Sequence, residues 1–135
     1  MDARIEHFAQ DVIERFGYLV AEFGFTGPDV DHDELVGYTR GPWQVWLGLD
    51  VRNKTVDANI RFCEGDVDVH APLGEVVKAA GLGGAQRAPT SAQTRAGMAA
   101  SLTKQATALR DVAPLLGGRS GYELLTKAIG GEAQR

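Results

Sequence analysis

The stretch that decides the fold is "WQVWLGLDVRNKTVDANIRF", Trp43 to Phe62. Val45, Leu47, Leu49 and Val51 alternate with polar or small residues, and so do Val56, Ala58, Ile60 and Phe62. A period of two is that of a strand with one buried face, so the stretch reads as a hairpin turning at Asn53-Lys54. Trp46 falls out of phase with the apolar set and therefore on the polar side. A large aromatic there needs a reason.

Extending outward, Gly41-Pro42 and Glu64-Gly65 mark two further turns, which gives four short strands between Glu34 and Ala71. Pairing outward from the turns sets Tyr38 opposite Val45 and Val36 opposite Leu47. Across the second turn, Val51 meets Val56, Leu49 meets Ala58, Leu47 meets Ile60 and Val45 meets Phe62. Across the third, Phe62 meets Val67, Ile60 meets Val69 and Ala58 meets Ala71. Every one of these pairs lies on one side. Because a slip of one residue would turn each side chain over, agreement among three turns is a strong test of the faces.

The same register lays Gly37, Trp46, Arg61 and Asp68 in one row of the opposite face. Leu35, Gly48, Asn59 and His70 form the next, Asp50 opposes Asp57, and Thr39, Gln44, Cys63 and Asp66 line the last. Trp46 then has two readings. It is a cross-strand anchor resting over the side-chain-free Gly37 and shielded by Arg61, or it marks a docking patch, since Trp and Arg are enriched at binding hot spots. The candidate partner-binding residues are Trp46, Arg61 and Asp68 at the centre, with Asp50, Asp57 and His70 around them.

Before the sheet, Ile5, Phe8, Val12, Ile13, Phe16, Leu19, Val20 and Phe23 recur at helical spacing, with Asp2 as N-cap and Gly24 as left-handed terminator. Gly17 interrupts this helix at a cost of about 1 kcal/mol relative to alanine. "TGPDVDHDE" reads as an acidic, turn-rich connection. After the sheet, "PLGEVVKAAGLGG" reads as a short helix, "AQRAPTS" as a loop, and Ser91 to Leu116 as a long helix whose last turn Pro114 disturbs. Ser120 caps a final helix that ends in a frayed "GGEAQR" tail. The expected architecture is a single α+β domain over 1–135. It has an N-terminal helix, a four-stranded antiparallel meander, and three C-terminal helices, one of them long, packed on the apolar face.

Composition narrows the function classes. A chain of 135 residues, 44% hydrophobic and 24% charged, can bury a core without staples. No apolar run approaches the roughly 20 residues that span a bilayer, and the first residues lack a secretory pattern. The single Cys63 excludes an intrachain disulfide and fits a reducing compartment, so a cytoplasmic location is expected, with no membrane partner. The charge is uneven: residues 1–71 carry 14 acids against 6 Lys/Arg, and residues 72–135 carry 4 acids against 8. The acidic first half disfavours nucleic acid as its direct partner, because phosphate contacts need cations. The simplest use of the asymmetry is that the two halves pack together and neutralise each other in part; an acidic docking face is the other.

Catalytic and cofactor signatures are missing. "DVDVH" puts Asp66, Asp68 and His70 on one side of a strand, but about 7 Å apart, with Arg61 competing for Asp68; a metal-dependent enzyme or metal-binding protein on these residues is the alternative to a binding role. "DVDHDE" lacks the glycine and distal glutamate of a calcium loop. Cys63 has acidic neighbours and no activating base. No G-x-S-x-G occurs, and "GLGG" follows a helix instead of opening one, so it does not cradle phosphate. No cofactor and no catalysis are expected.

The order of "FGYLVAEFGF", a strand ending "VGYTR", "VWLGLDVRNKTVDANI" and the later "ALRDVAPLLGG" (Ala108 to Gly118) resembles small bacterial immunity-type proteins of polymorphic toxin systems and their relatives. The resemblance implies a non-enzymatic protein that neutralises a toxin by binding it, and assigns no binding residue. The alanine-rich helix "TSAQTRAGMAASLTKQ" departs from that pattern. A third reading is a structural protein, homodimeric through a sheet edge or through this helix.

Overall fold

Asp2 opens the first helix by accepting a hydrogen bond from the Arg4 N–H at 2.8 Å, and the Arg4 guanidinium folds back onto the same carboxylate at 2.7 Å. Helix α1 (Ala3–Phe16) buries Phe8, Val12 and Phe16 at three-and-four spacing. The computed structural model, which describes residues 2–133, divides the expected single helix at Gly17, and α2 (Tyr18–Phe23) continues it. With no side chain to pack and exposed to water, Gly17 leaves one carbonyl shared by the Val20 and Ala21 N–H groups at 3.1 Å each. Gly24, at φ 77°, ends α2 as expected.

Five strands follow, paired antiparallel in sequence order: β1 (Thr26–His32), β2 (Leu35–Arg40), β3 (Trp43–Asp50), β4 (Thr55–Glu64) and β5 (Val67–Pro72). The acidic segment expected to be a connection is thus a fifth strand. Its residues are all exposed, so it carries no apolar alternation to betray it. Register breaks between Thr26 and Asp29 and between Val30 and His32 give β1 the irregular outline of a protected edge.

The β2–β3 pairing is as expected, with Tyr38 on Val45 and Val36 on Leu47. The next two are displaced by two residues. Leu49 faces Val56, Leu47 faces Ala58, Val45 faces Ile60 and Trp43 faces Phe62. The turn between them spans Val51 to Lys54, not Asn53-Lys54 alone. The Asp50 carboxylate closes it, accepting from the Asn53 N–H at 3.0 Å and the Asn53 side-chain amide at 2.8 Å, while Lys54 takes φ 60°. Across the last turn, Glu64 pairs with Val67, so Gly65-Asp66 forms the corner and Phe62 faces Val69. A shift of two leaves every side chain on its predicted face, and Val45, Leu47, Leu49, Val56 and Ile60 all enter the core.

Helices cover that apolar face. Helix α3 (Leu73–Ala79) follows Pro72 as read from the sequence. The long helix α4 (Arg95–Val112) starts later than Ser91, capped by the Thr94 hydroxyl, which accepts from the Gly97 N–H at 2.9 Å. Thr90 to Ala92 is instead drawn onto the sheet: the Val56 N–H donates to the Thr90 carbonyl and the Ala92 N–H to the Lys54 carbonyl, at 2.8 and 2.9 Å. The amide of Gln105, fully buried in α4, holds this segment in place by donating to the carbonyls of Val56 and Pro89 at 3.0 and 2.7 Å. Pro114 sits in a single 3-10 turn, Ala113–Leu115. Helix α5 (Gly118–Ala133) begins two residues ahead of Ser120, and of the tail expected to fray, Gln134 and Arg135 lie outside the described residues.

Helix α4 packs against α1, α3 and β4 through a face that includes the small residues Ser101, Ala106 and Ala108, while Ala96, Ala100, Thr103 and Thr107 stay exposed. Two ion pairs join the acidic and basic halves: Asp11, which is 1% exposed, with Arg95 at 3.0 Å, and Glu22 with Arg110 at 2.7 Å. Part of the charge asymmetry is therefore internal. Among the described residues, no helix is long and apolar enough to cross a membrane.

Candidate functional site

Trp46 points away from the core, as its position in β3 requires. Its indole is half-buried because it lies on Gly37 of the neighbouring strand. A Cβ on Gly37 would sit 2.4, 2.5 and 2.6 Å from three carbons of the indole, so only glycine leaves room. The indole N–H donates to the Gln44 side-chain carbonyl at 2.7 Å, which satisfies its one polar atom. Half-burial and the seat on Gly37 are as the anchor reading expects; the Gln44 contact is not among its expectations.

The predicted row does not hold. With β4 displaced by two residues, Trp46 faces Asn59, and Arg61 stands between Gln44 and His70. Arg61 turns to Asp68, which lies diagonally across on β5, and grips it bidentately at 2.8 and 2.6 Å. It does not shield the indole. The same displacement separates the two carboxylates expected to repel: Asp50 faces Thr55, and Asp57 faces Gly48. Asp66 sits in the β4–β5 turn and Asp68 is taken by Arg61. Among the described residues no group of three or more His, Cys, Asp or Glu side chains is arranged to hold a metal.

Instead of one patch, the six predicted residues form two groups. Trp46, Asp50 and Asp57 join His32, Glu34, Leu35 and Asn59 around a hollow of about 320 Å³ on the polar face. Gly48 forms part of its lining and contributes no side chain. The hollow is thus lined by a tryptophan and three acidic residues, Glu34, Asp50 and Asp57, with no lysine or arginine among its lining. Arg61, Asp68 and His70 lie outside it. The wider face has the same sign: Asp29, Asp50, Asp57 and Asp68 point outward with Arg61 as the sole lysine or arginine in the strand ladders of that face. His32 and Glu34 escaped the sequence reading because their place depends on the unrecognised β1, whereas Leu35 stands beside Gly48 on this face as expected. The bare glycine at position 48 beside an outward Leu35 was the available hint.

Hydrogen bonds hold several carboxylates in the charged form. The Asn53 backbone and side-chain donors keep Asp50 below the usual carboxylate range, Arg61 does the same for Asp68, and Arg110 for Glu22. Arg4 lowers Asp2 to about 2. A group whose folded value is depressed contributes stability above its unfolded value, and loses it as pH falls through the folded value. Urea midpoints should therefore be level above about pH 6 and decline between about pH 4 and 2, the interval from ordinary carboxylate values to that of Asp2. A midpoint rising over that interval would contradict the assignment.

Fold and site together define an α+β protein with one sheet face covered by helices and the other left open. No family model matches the chain, and no curated protein or solved structure matches it.

Proposed function

We propose that this protein is a non-enzymatic binding module that captures a basic protein partner on the open face of its sheet. The observation that supports the reading is the hollow, lined by Trp46 and the acidic residues Glu34, Asp50 and Asp57 with no lysine or arginine beside them. A guanidinium or ammonium group is the natural complement. It gains from the carboxylates and from the indole ring at once, and cation–π contacts strengthen as water is excluded. The partner is then a protein that inserts an arginine or lysine beside Trp46. The resemblance to immunity-type proteins supports a toxin as that partner and a cytoplasmic site of action.

Gly48 supplies the test, because a Cβ there would meet Leu35 at 3.6 Å and the Glu34 carbonyl at 3.9 Å, both ordinary contacts. Gly48→Leu adds a side chain to the hollow's lining at a position whose Cβ meets only ordinary contacts. Titrating an arginine-rich peptide into labelled protein should shift the Trp46 indole N–H and the amides of Gly48, Asp57 and Asn59. The plugged variant should bind at least about tenfold more weakly, a difference of about 1.4 kcal/mol. Equal binding by both proteins would remove the hollow from the function.

A further inference from the structure

We propose that a second, separate cleft binds a small aromatic carboxylate. It lies at the opposite end of β3 from the hollow, between the β2–β3 turn, β4 and the start of α5, and encloses about 570 Å³. That volume is within the range of small-molecule sites, roughly 300–1,000 Å³, which combine apolar walls with a few oriented polar groups.

The walls are aromatic. Trp43 and Phe62 meet edge to face at 5.1 Å between centroids, and Phe62 meets Tyr122 of α5 at the same distance. Phe62 and Tyr122 are only partly buried, so ring surface is left facing the cleft. Such walls favour a flat apolar body.

The polar end carries the anion preference. Arg40 lines the cleft, its guanidinium fixed by donating to the Phe23 carbonyl at 2.7 Å and to the Leu116 carbonyl, and stacked 4.6 Å over Phe25. Its partners are neutral carbonyls; among the described residues no carboxylate lies within ion-pair distance of it. A partly buried cation held rigidly and paired with no carboxylate favours an anion nearby. Arg119 stands at the rim, engaged by Glu123 at 3.2 Å yet 90% exposed, so it is free to turn inward. Gly117 and Gly118, where α5 begins, line the same end. Glu64 is the one carboxylate in the lining and opposes an anion from the rim.

One carboxylate on a ring-sized body satisfies both ends, and benzoate is the simplest probe. Titrated into labelled protein, benzoate should shift the Gly41, Gly117 and Gly118 amides and the Trp43 indole N–H saturably. Benzyl alcohol, which keeps the ring, and acetate, which keeps the charge, should each bind at least about tenfold more weakly. Glu64→Gln should tighten benzoate by about two- to fivefold and Arg119→Gln should weaken it to a similar extent. Both side chains are exposed, so neither variant endangers the fold. Absence of a saturable response, or benzyl alcohol binding as well as benzoate, would overturn the proposal. So would two charge variants that leave benzoate affinity unchanged.

Discussion

Gln105→Leu should cost about 1–3 kcal/mol and lower the urea midpoint more than any surface substitution. The leucine fits the volume but removes both donors that hold the carbonyls of Val56 and Pro89. Burying an acceptor without a partner costs roughly 1–3 kcal/mol; the Val56 carbonyl is left so and the part-buried Pro89 carbonyl in part, while loss of the Gln105 Oε1, which has no partner, offsets some of the cost. The loss is also local in its structural consequence. Thr90 to Ala92 is attached to the sheet through the Val56 and Ala92 N–H groups, and the Gln105 amide fixes the same segment from the helix side. Amide exchange should therefore accelerate first at Val56 and Ala92, before global unfolding. Gln105→Glu, which cannot donate when ionised, should be at least as damaging. A leucine variant as stable as the parent would mean that the buried amide ties nothing together.

Gly37→Val should destabilise the protein by about 1–3 kcal/mol and expel the Trp46 ring from its seat. A new Cβ would lie within 2.4–2.6 Å of the indole, and the exposed side of the sheet gives the ring an escape. Fluorescence should shift to the red as the indole moves into water. The sign should reverse in a Trp46→Ala background. With the ring gone, valine replaces a glycine in a strand interior, where glycine is disfavoured by roughly 0.5–1 kcal/mol, and should stabilise. The double-mutant cycle thus isolates the contact between Gly37 and Trp46. Additive effects would show that the glycine serves something other than the indole.

What the sequence revealed and what it hid have one physical origin, the period of the strand. Faces survive any register error that is even, so the apolar set from Val45 to Ile60 was correctly placed although two of three turns were misjudged. Pairing does not survive, so Arg61 was set beside Trp46 and Asp50 opposite Asp57. The correcting signal was present: Asp50 followed by Asn53 and then Lys54 is the chemistry of a longer, side-chain-closed turn. The seat of Trp46 on Gly37 was legible because it depends only on the β2–β3 turn, which was read correctly. Strand β1 was not, since an edge strand with every residue exposed has no apolar pattern. The hollow, which needs His32 and Glu34, disappeared from view with it. The long-helix start was misplaced for a related reason. The sequence pattern points to Ser91 as its beginning, whereas the Thr94 cap comes after a segment claimed by the sheet.

The most direct measurement is side-by-side capture from cells that make this protein, using the parent and Gly48→Leu at matched concentration and matched folded content. A basic protein should be retained by the parent, released by raised salt, and absent from the plugged variant. The same proteins retained equally by both, or an acidic partner held through the plug, would contradict the proposed role.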